Sequence, residues 1–174
     1  MLPPQLCASV ARLLTSSLAV TQILVSWSAD HFNARGFHSS ALAFIGAFGF
    51  VASALIPPDQ YLNRYGCLIV ATCGAFACIP PLLGWITSNV HSTASVGLAI
   101  AINVSCGAGL GQIPGVWIYK AEESKRGFPT GHWTNAAMLF VVFVGSILLR
   151  LWYGRKNRQL LRESSDGNVR LFKL

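Results

Sequence analysis

The longest stretch of this sequence without a charged side chain runs for 55 residues, from Tyr65 to Tyr119. Three further uncharged runs cover residues 13–29, 36–58 and 127–149. A bilayer core is about 30 Å thick, and a helix of roughly 20 apolar residues crosses it. Soluble domains carry about 25% charged residues, whereas this chain carries 11% and is 53% hydrophobic. The sequence therefore predicts an all-α integral membrane protein with several transmembrane helices.

Polar and proline-rich stretches divide the uncharged runs into five predicted spans. The longest run exceeds the length of one helix and divides at the polar stretch 87–93. The predicted spans cover about residues 8–28, 37–56, 65–86, 95–119 and 135–153, and residues 154–174 follow as a tail.

The tail is strongly basic. Seven of the 13 Lys and Arg residues lie between residues 150 and 174. Basic residues directly after a span are typical of the cytoplasmic side, so we predict a cytoplasmic tail and, with five spans, an N-terminus outside. Met1–Ala11 has no basic n-region, which disfavours a signal peptide. We expect a multi-pass membrane protein that binds no nucleic acid.

Prolines lie inside the third and fourth predicted spans. Proline has no N–H and its ring clashes with the preceding turn, so a helix breaks or kinks there. Pro80 and Pro81 are well inside the third span, and Pro114 with Gly115 is inside the fourth. Two broken helices in one bundle are typical of secondary transporters.

Glycines at a regular spacing predict a packing face on the fourth span. Gly107, Gly111 and Gly115 are four residues apart, so an α-helix would place them along one face. Small residues let a second helix approach closely. We favour this role over a direct ligand contact.

Four polar residues inside the spans are candidates for a solute pathway: Thr21, Gln22, Asn103 and Gln112. Asn103 and Gln112 are nine residues apart, which predicts opposite faces of the helix. Each amide has a hydrogen bond to another helix as an equal alternative, and the Thr21 hydroxyl has a bond to its own helix.

The span interiors contain no acid, base or histidine that could support catalysis. The five cysteines form no C-x-x-C pair, and the four histidines have no metal-ligand spacing. The sequence predicts no enzyme, no metal site and no cofactor.

Several segments, in order, resemble the major facilitator superfamily of transporters. The loop between helices eight and nine of that superfamily is similar to SWSADHFNARG (26–36). The tenth helix of its allantoate permease family, a group of anion:cation symporters, is similar to RYGCLIVATCGAFACIPPLLGW (64–85) and ITSNV (86–90). The end of the eleventh helix is similar to GQIPGVWIYKAEESKRGFPTGH (111–132), although Glu122–Arg126 replaces an Asp-Ala-Pro-Arg-Tyr pattern. The motif after the last helix is similar to Arg-Lys-Asn-Arg at 155–158.

The resemblance covers about residues 13–160 and assigns the five spans to helices eight to twelve of twelve. It implies a partial C-terminal bundle, within residues 1–153, of a truncated or partial carrier. The implied activity is proton-coupled transport of small organic anions across the plasma membrane, together with a complementary N-terminal half. Helices eight, ten and eleven would line the pathway, and nine and twelve would pack outside.

The same resemblance implies that Asp30 and Arg35 act in a gate that switches conformation. An exposed ion pair without that role is an equal alternative. For the whole chain, the alternative function is a non-transporting membrane protein that assembles with, or regulates, a full-length transporter.

Overall fold

A computed structural model describes residues 4–90, 92–163 and 171–174, and within these ranges the chain has no β-strand. A π-helix (Ser105–Leu110) and a 3-10 helix (Ala121–Arg126) accompany the α-helices. The α-helices of the described ranges are α1 (Pro4–His31), α2 (Arg35–Leu55), α3 (Tyr61–Ala77), α4 (Ile79–Asn89), α5 (Thr93–Val104), α6 (Gln112–Trp117) and α7 (Pro129–Glu163).

Within the described ranges, three helical segments are long and apolar enough to cross a membrane, judged by length and composition: Arg35–Leu55, Tyr61–Asn89 and Pro129–Glu163. The prediction of an all-α membrane protein is confirmed. The division into five spans stays a prediction. The fifth predicted span lies inside α7, which continues to Glu163, so the first part of the predicted tail is helical.

Helix α2 forms the centre of the bundle, packed between α3 and α7. Its glycines let α3 approach closely. A Cβ built on Gly74 of α3 would lie 2.5 Å from the Gly46 nitrogen, and one built on Gly49 would lie 2.7 Å from the Ala71 nitrogen. Only a residue without a Cβ fits at such distances. We call these four residues the glycine contact.

Two groups of buried side chains pack around α2 and α4. Phe50, Ala71 and Ala136 form an apolar core where α2, α3 and α7 meet. Farther along the bundle, Trp85 of α4 is 1% exposed, and its ring meets the edge of Tyr153 of α7 at 5.8 Å between centroids. Helix α7 therefore contacts the bundle along much of its length.

The predicted third span consists of two helices, α3 and α4, which meet at Cys78. Pro80 has no N–H to donate to the Phe76 carbonyl, four residues earlier. The first turn of a helix needs no such donor, so the two prolines fit at the start of α4. The chain is therefore divided just before them.

The predicted fourth span is not one regular helix, because the π-helix separates α5 from α6. The Gly111 N–H donates to the Cys106 carbonyl, five residues earlier, at 3.0 Å, which is the π-helical bond. Pro114 cannot donate to the Leu110 carbonyl, and glycine favours the helical state weakly. Both properties weaken the regular α-helical bonding next to the π turn.

The packing face predicted for Gly107, Gly111 and Gly115 stays a prediction, although the π turn changes its geometry. The π turn contains more residues than an α turn, so a spacing of four no longer keeps residues in line. A Cβ built on Gly107 or Gly115 would meet no described atom within 4 Å, and one on Gly111 would meet the Gly107 oxygen of its own helix at 2.5 Å. Among the described residues, helices approach each other closely at Gly46 and Gly74.

The two ends of the bundle carry different residues. At the Arg35 end, α1 leads into α2, and the end of α4 lies nearby, since Arg35 contacts Gly84. At the opposite end, which we call the Arg64 end, α3 and α7 begin, and Arg64 contacts Gly127. The side predicted to be cytoplasmic is the Arg35 end.

Candidate functional site

Gln22 of α1 contacts the break between α3 and α4. Its Nε2 donates to the Phe76 carbonyl oxygen at 3.2 Å. This carbonyl lacks the donor that an α-helix supplies four residues later, because Pro80 has no N–H. At membrane depth a freed carbonyl must find a hydrogen-bond partner within protein or water. Gln22 supplies this donor from α1 to a carbonyl of α3.

Thr21 lies beside Gln22 in the sequence but bonds differently. Its hydroxyl donates to the Ser17 carbonyl, one turn earlier in α1, at 2.7 Å. The hydroxyl is thus bonded to its own helix, which is the alternative that the sequence left open. Of these two candidates in α1, only Gln22 makes a bond in the structure that reaches the broken helix.

Asn103, one of the two candidates in the fourth predicted span, makes no described contact with Gln22. Asn103 is exposed on α5, a helix with no buried residue that packs against α4 and the π-helix. The side chains of Gln112 and Pro114 lie outside the described part of the structure. A shared site for Asn103 and Gln22 therefore has no support from the described contacts, and a pathway role for Asn103 stays a prediction.

Asp30 and Arg35 meet in the turn between α1 and α2. Arg35 Nε donates to the Asp30 carboxylate at 2.7 Å. The side chain of Asp30 is 59% exposed and that of Arg35 29% exposed, so water screens the pair and its net contribution is about 0–1 kcal/mol. The structure thus contains the ion pair between Asp30 and Arg35, and its role in a gate stays a prediction.

Arg35 also reaches the last turns of α4, which the sequence did not indicate. Its Nη1 donates to the Gly84 carbonyl at 2.8 Å and to the Ser88 hydroxyl oxygen at 2.7 Å. The Ser88 hydroxyl in turn donates to the Gly84 carbonyl at 2.6 Å. Arg35 thus joins the α1–α2 turn to the end of α4. A signal for this contact was present in Ser88, a polar residue at the end of an apolar span.

At the Arg64 end, a second arginine joins three elements. Arg64 of α3 donates to the Ser53 carbonyl of α2 at 3.3 Å, and its Nη2 donates to the Gly127 carbonyl before α7. Gly127 has a φ of +76°, and a Cβ there would overlap the Arg64 guanidinium. Only glycine adopts this positive φ without strain and also leaves room for the Arg64 side chain. Sequence analysis did not single out either residue.

The loop before α7 has its own cap. The Glu123 carboxylate accepts a hydrogen bond from the Thr130 hydroxyl at 2.6 Å and from the Thr130 N–H at 3.1 Å. The hydroxyl bond is the main cause that holds the pKa of Glu123 below its ordinary value, and Lys120 and Arg126 act in the same direction. The carboxylate therefore stabilises the start of α7 while it is ionised.

An apolar cleft of about 300 Å³ lies between α2 and α7. It contains none of the predicted pathway residues, and its lining is almost entirely apolar, which suits hydrocarbon rather than an anion. The lining residues are Phe44, Ala47, Phe48, Val51, Trp133, Ala136, Ala137 and Phe140. Among the side chains that the structure describes, no three His, Cys, Asp or Glu residues come together as a metal site.

Comparisons with known proteins point to a transporter. The chain is 64% identical over 155 residues to the MFS transporter prlL of a fungus (Fungal sp., strain NRRL 50135). The match covers 88% of this chain and 31% of the relative. No family model and no solved structure matches the chain. Over most of its length, the chain is therefore similar to about a third of a transporter named for the major facilitator superfamily.

Proposed function

We propose that the chain is the part of a major facilitator transporter that corresponds to helices eight to twelve, and that it forms one side of a pathway for small organic anions. The 64% identity to the fungal transporter carries this proposal. The finer assignment, to proton-coupled uptake by a relative of the allantoate permease family in the plasma membrane, rests on the motifs at 26–36, 64–90 and 111–132.

The broken helix supports a pathway beside α1. Half-helices expose polar backbone at the depth where secondary transporters bind their solutes. Here the break at Cys78 lies beside Gln22, whose amide reaches the Phe76 carbonyl. Helices α2 and α7 pack on the other side, around Phe50 and Ala136. This arrangement agrees with α1, α3 and α4 as lining elements.

The surface of α5 supports assembly with further protein. No residue of α5 is buried by the described part of the chain, and its polar Asn103 would face lipid without a partner. A polar group in hydrocarbon costs free energy unless it is hydrogen-bonded. A complementary half, or a complete transporter chain, would cover this helix.

Uptake into proteoliposomes tests the proposal. The chain is combined with the part of the fungal relative that it does not match, and uptake of radiolabelled organic carboxylates is measured with and without a proton gradient. We expect uptake only with both parts and the gradient present. Gln22→Leu should lower it, and Gln159→Leu, an exposed control in α7, should not.

Two other outcomes separate the alternatives. If the intact relative transports a carboxylate but the combined parts never do, the proposed function is wrong. If the chain alters uptake by the intact relative without transporting anything itself, the regulatory alternative replaces it. We expect the chain alone to transport nothing, because a central site needs both sides of the pathway.

A further inference from the structure

The last four residues, Leu171–Leu174, lie between α4 and α7 at the Arg35 end, and we call them the C-terminal strap. Asn157 of α7 bonds both backbone groups of Phe172: the Phe172 N–H donates to Oδ1 and Nδ2 donates to the Phe172 carbonyl, each at 2.8 Å. Asn89, the last residue of α4, bonds both backbone groups of Lys173. The Lys173 N–H donates to Asn89 Oδ1 at 2.7 Å, and Nδ2 donates to the Lys173 carbonyl at 3.1 Å.

Two consecutive residues are thus held by asparagines from two different helices. In a strand, successive residues direct their N–H and C=O groups to opposite sides. A primary amide offers a donor and an acceptor side by side, as a neighbouring strand does. The strap is therefore bonded on both sides like a central β-strand, with the Asn157 and Asn89 side chains in place of the neighbouring strands. Extended peptides are recognised through main-chain bonds of this kind at sheet edges.

Aromatic side chains add selectivity to the backbone bonds. The Phe172 ring stacks on Tyr153, with the centroids 4.8 Å apart and the planes at 11°, and Trp152 stands at 6.3 Å. The Trp85 indole N–H donates to the Lys173 carbonyl at 2.8 Å. Trp85 is buried and Asn157 is only 9% exposed. Without the strap, the Trp85 and Asn157 side chains would lose the hydrogen bonds that its backbone supplies.

We propose that Asn89, Trp85, Tyr153 and Asn157 form a binding site for an extended peptide that carries an aromatic residue, and that the chain's own strap fills it and fastens the end of α4 to α7. Helix α4 begins just after the interruption at Cys78, and two sets of contacts hold its far end. Arg35 holds it from one side and the strap from the other. This inference goes beyond the proposed function and does not depend on transport.

Amide hydrogen exchange of the full chain in lipid nanodiscs tests the site. We expect the Phe172 and Lys173 amides to exchange at least about tenfold more slowly than in a free peptide of residues 164–174, because both amides donate to asparagine oxygens. Asn157→Leu should remove the protection of Phe172, and Asn89→Leu that of Lys173. Asn63→Leu, an exposed control at the Arg64 end, should leave both protected.

A shortened chain, in which the bundle itself is unchanged, tests whether the strap holds α4. A chain ending at residue 170 should show at least about threefold faster exchange of the amides at 85–89, and Phe172→Ala in the full chain should act in the same direction. Free-peptide exchange rates at Phe172 and Lys173 in the intact chain would overturn the proposal. Unchanged exchange at 85–89 in the shortened chain would overturn the claim that the strap fastens α4.

Discussion

The glycine contact between α2 and α3 predicts that one methyl group destabilises the bundle. In Gly74→Ala, the new Cβ would lie 2.5 Å from the Gly46 nitrogen, 2.7 Å from the Gly46 Cα and 2.8 Å from the Leu42 oxygen. Carbon atoms in favourable contact are about 3.5–4.0 Å apart. The two helices must therefore separate by about 1 Å to admit the methyl group.

The size of the effect follows from two opposing contributions. Overpacking of a well-packed interior typically costs about 1–3 kcal/mol. Alanine favours a helix over glycine by up to about 1 kcal/mol, which offsets part of the cost. We expect a net loss of about 1–2 kcal/mol for Gly74→Ala. Gly66→Ala is the matched control in the same helix, because nothing lies within 4 Å of its Cβ. It gains helix propensity without a steric clash between helices.

Thermal unfolding of the purified chain in one detergent provides the assay. For a chain of this size, the expected loss lowers Tm by roughly 2–8 °C. Gly66→Ala should leave Tm unchanged or raise it. A Gly74→Ala chain as stable as the Gly66→Ala control would refute the close approach of α2 and α3. The double variant Gly46→Ala, Gly74→Ala should be non-additive, since both methyl groups enter one contact.

Four further predictions concern the ends of the bundle. Arg35→Gln should lower Tm more than Asp30→Asn does, because Arg35 also bonds the end of α4 and the exposed pair contributes only about 0–1 kcal/mol; equal losses would contradict this. Gly127→Ala should cost at least about 1–2 kcal/mol because of its positive φ, whereas Gly154→Ala, which has open space around it, should not. The pKa of Glu123 is lowered in the folded chain, so its contribution to stability is present above its unfolded pKa and is lost as pH falls through its folded pKa. Tm should therefore fall with decreasing pH in this range, and Glu123→Gln should remove that part of the fall. Reporter fusions after Arg126 and after Arg158 should lie on opposite sides of the membrane, and the same side for both would mean that α7 does not cross it.

The features that the sequence could indicate were local ones. Pro80 and Pro81 act on the four residues before them, so their position in the sequence is enough to place a break near Cys78. Asp30 and Arg35 are five residues apart in one turn, and their contact depends little on the rest of the fold. Charge-free runs mark helices that can lie in a membrane whatever their neighbours are.

Contacts between helices could not be predicted in the same way. Small residues occur at Gly46 and Gly49 and again at Gly107 and Gly111, and their spacing does not show which face another helix covers. The π turn at Ser105–Leu110 also shifts the helical register of the residues that follow it. The position of Asn157 in a polar tail gave no sign that it bonds a segment farther along the chain.

Helix α7 is longer than a bilayer is thick. Its 35 residues extend over about 52 Å at 1.5 Å per residue. If α7 crosses a hydrocarbon core of about 30 Å, as we predict, about 20 Å of helix extends beyond it. The last turns carry Arg155, Lys156, Arg158 and Arg162. Basic residues at that height attract anionic headgroups, by about 1 kcal/mol each and only within a Debye length of the surface. Asn157, which bonds the backbone of Phe172, lies among these basic residues. The charge of the surrounding lipid and the salt concentration therefore act on the turn of helix that binds the strap.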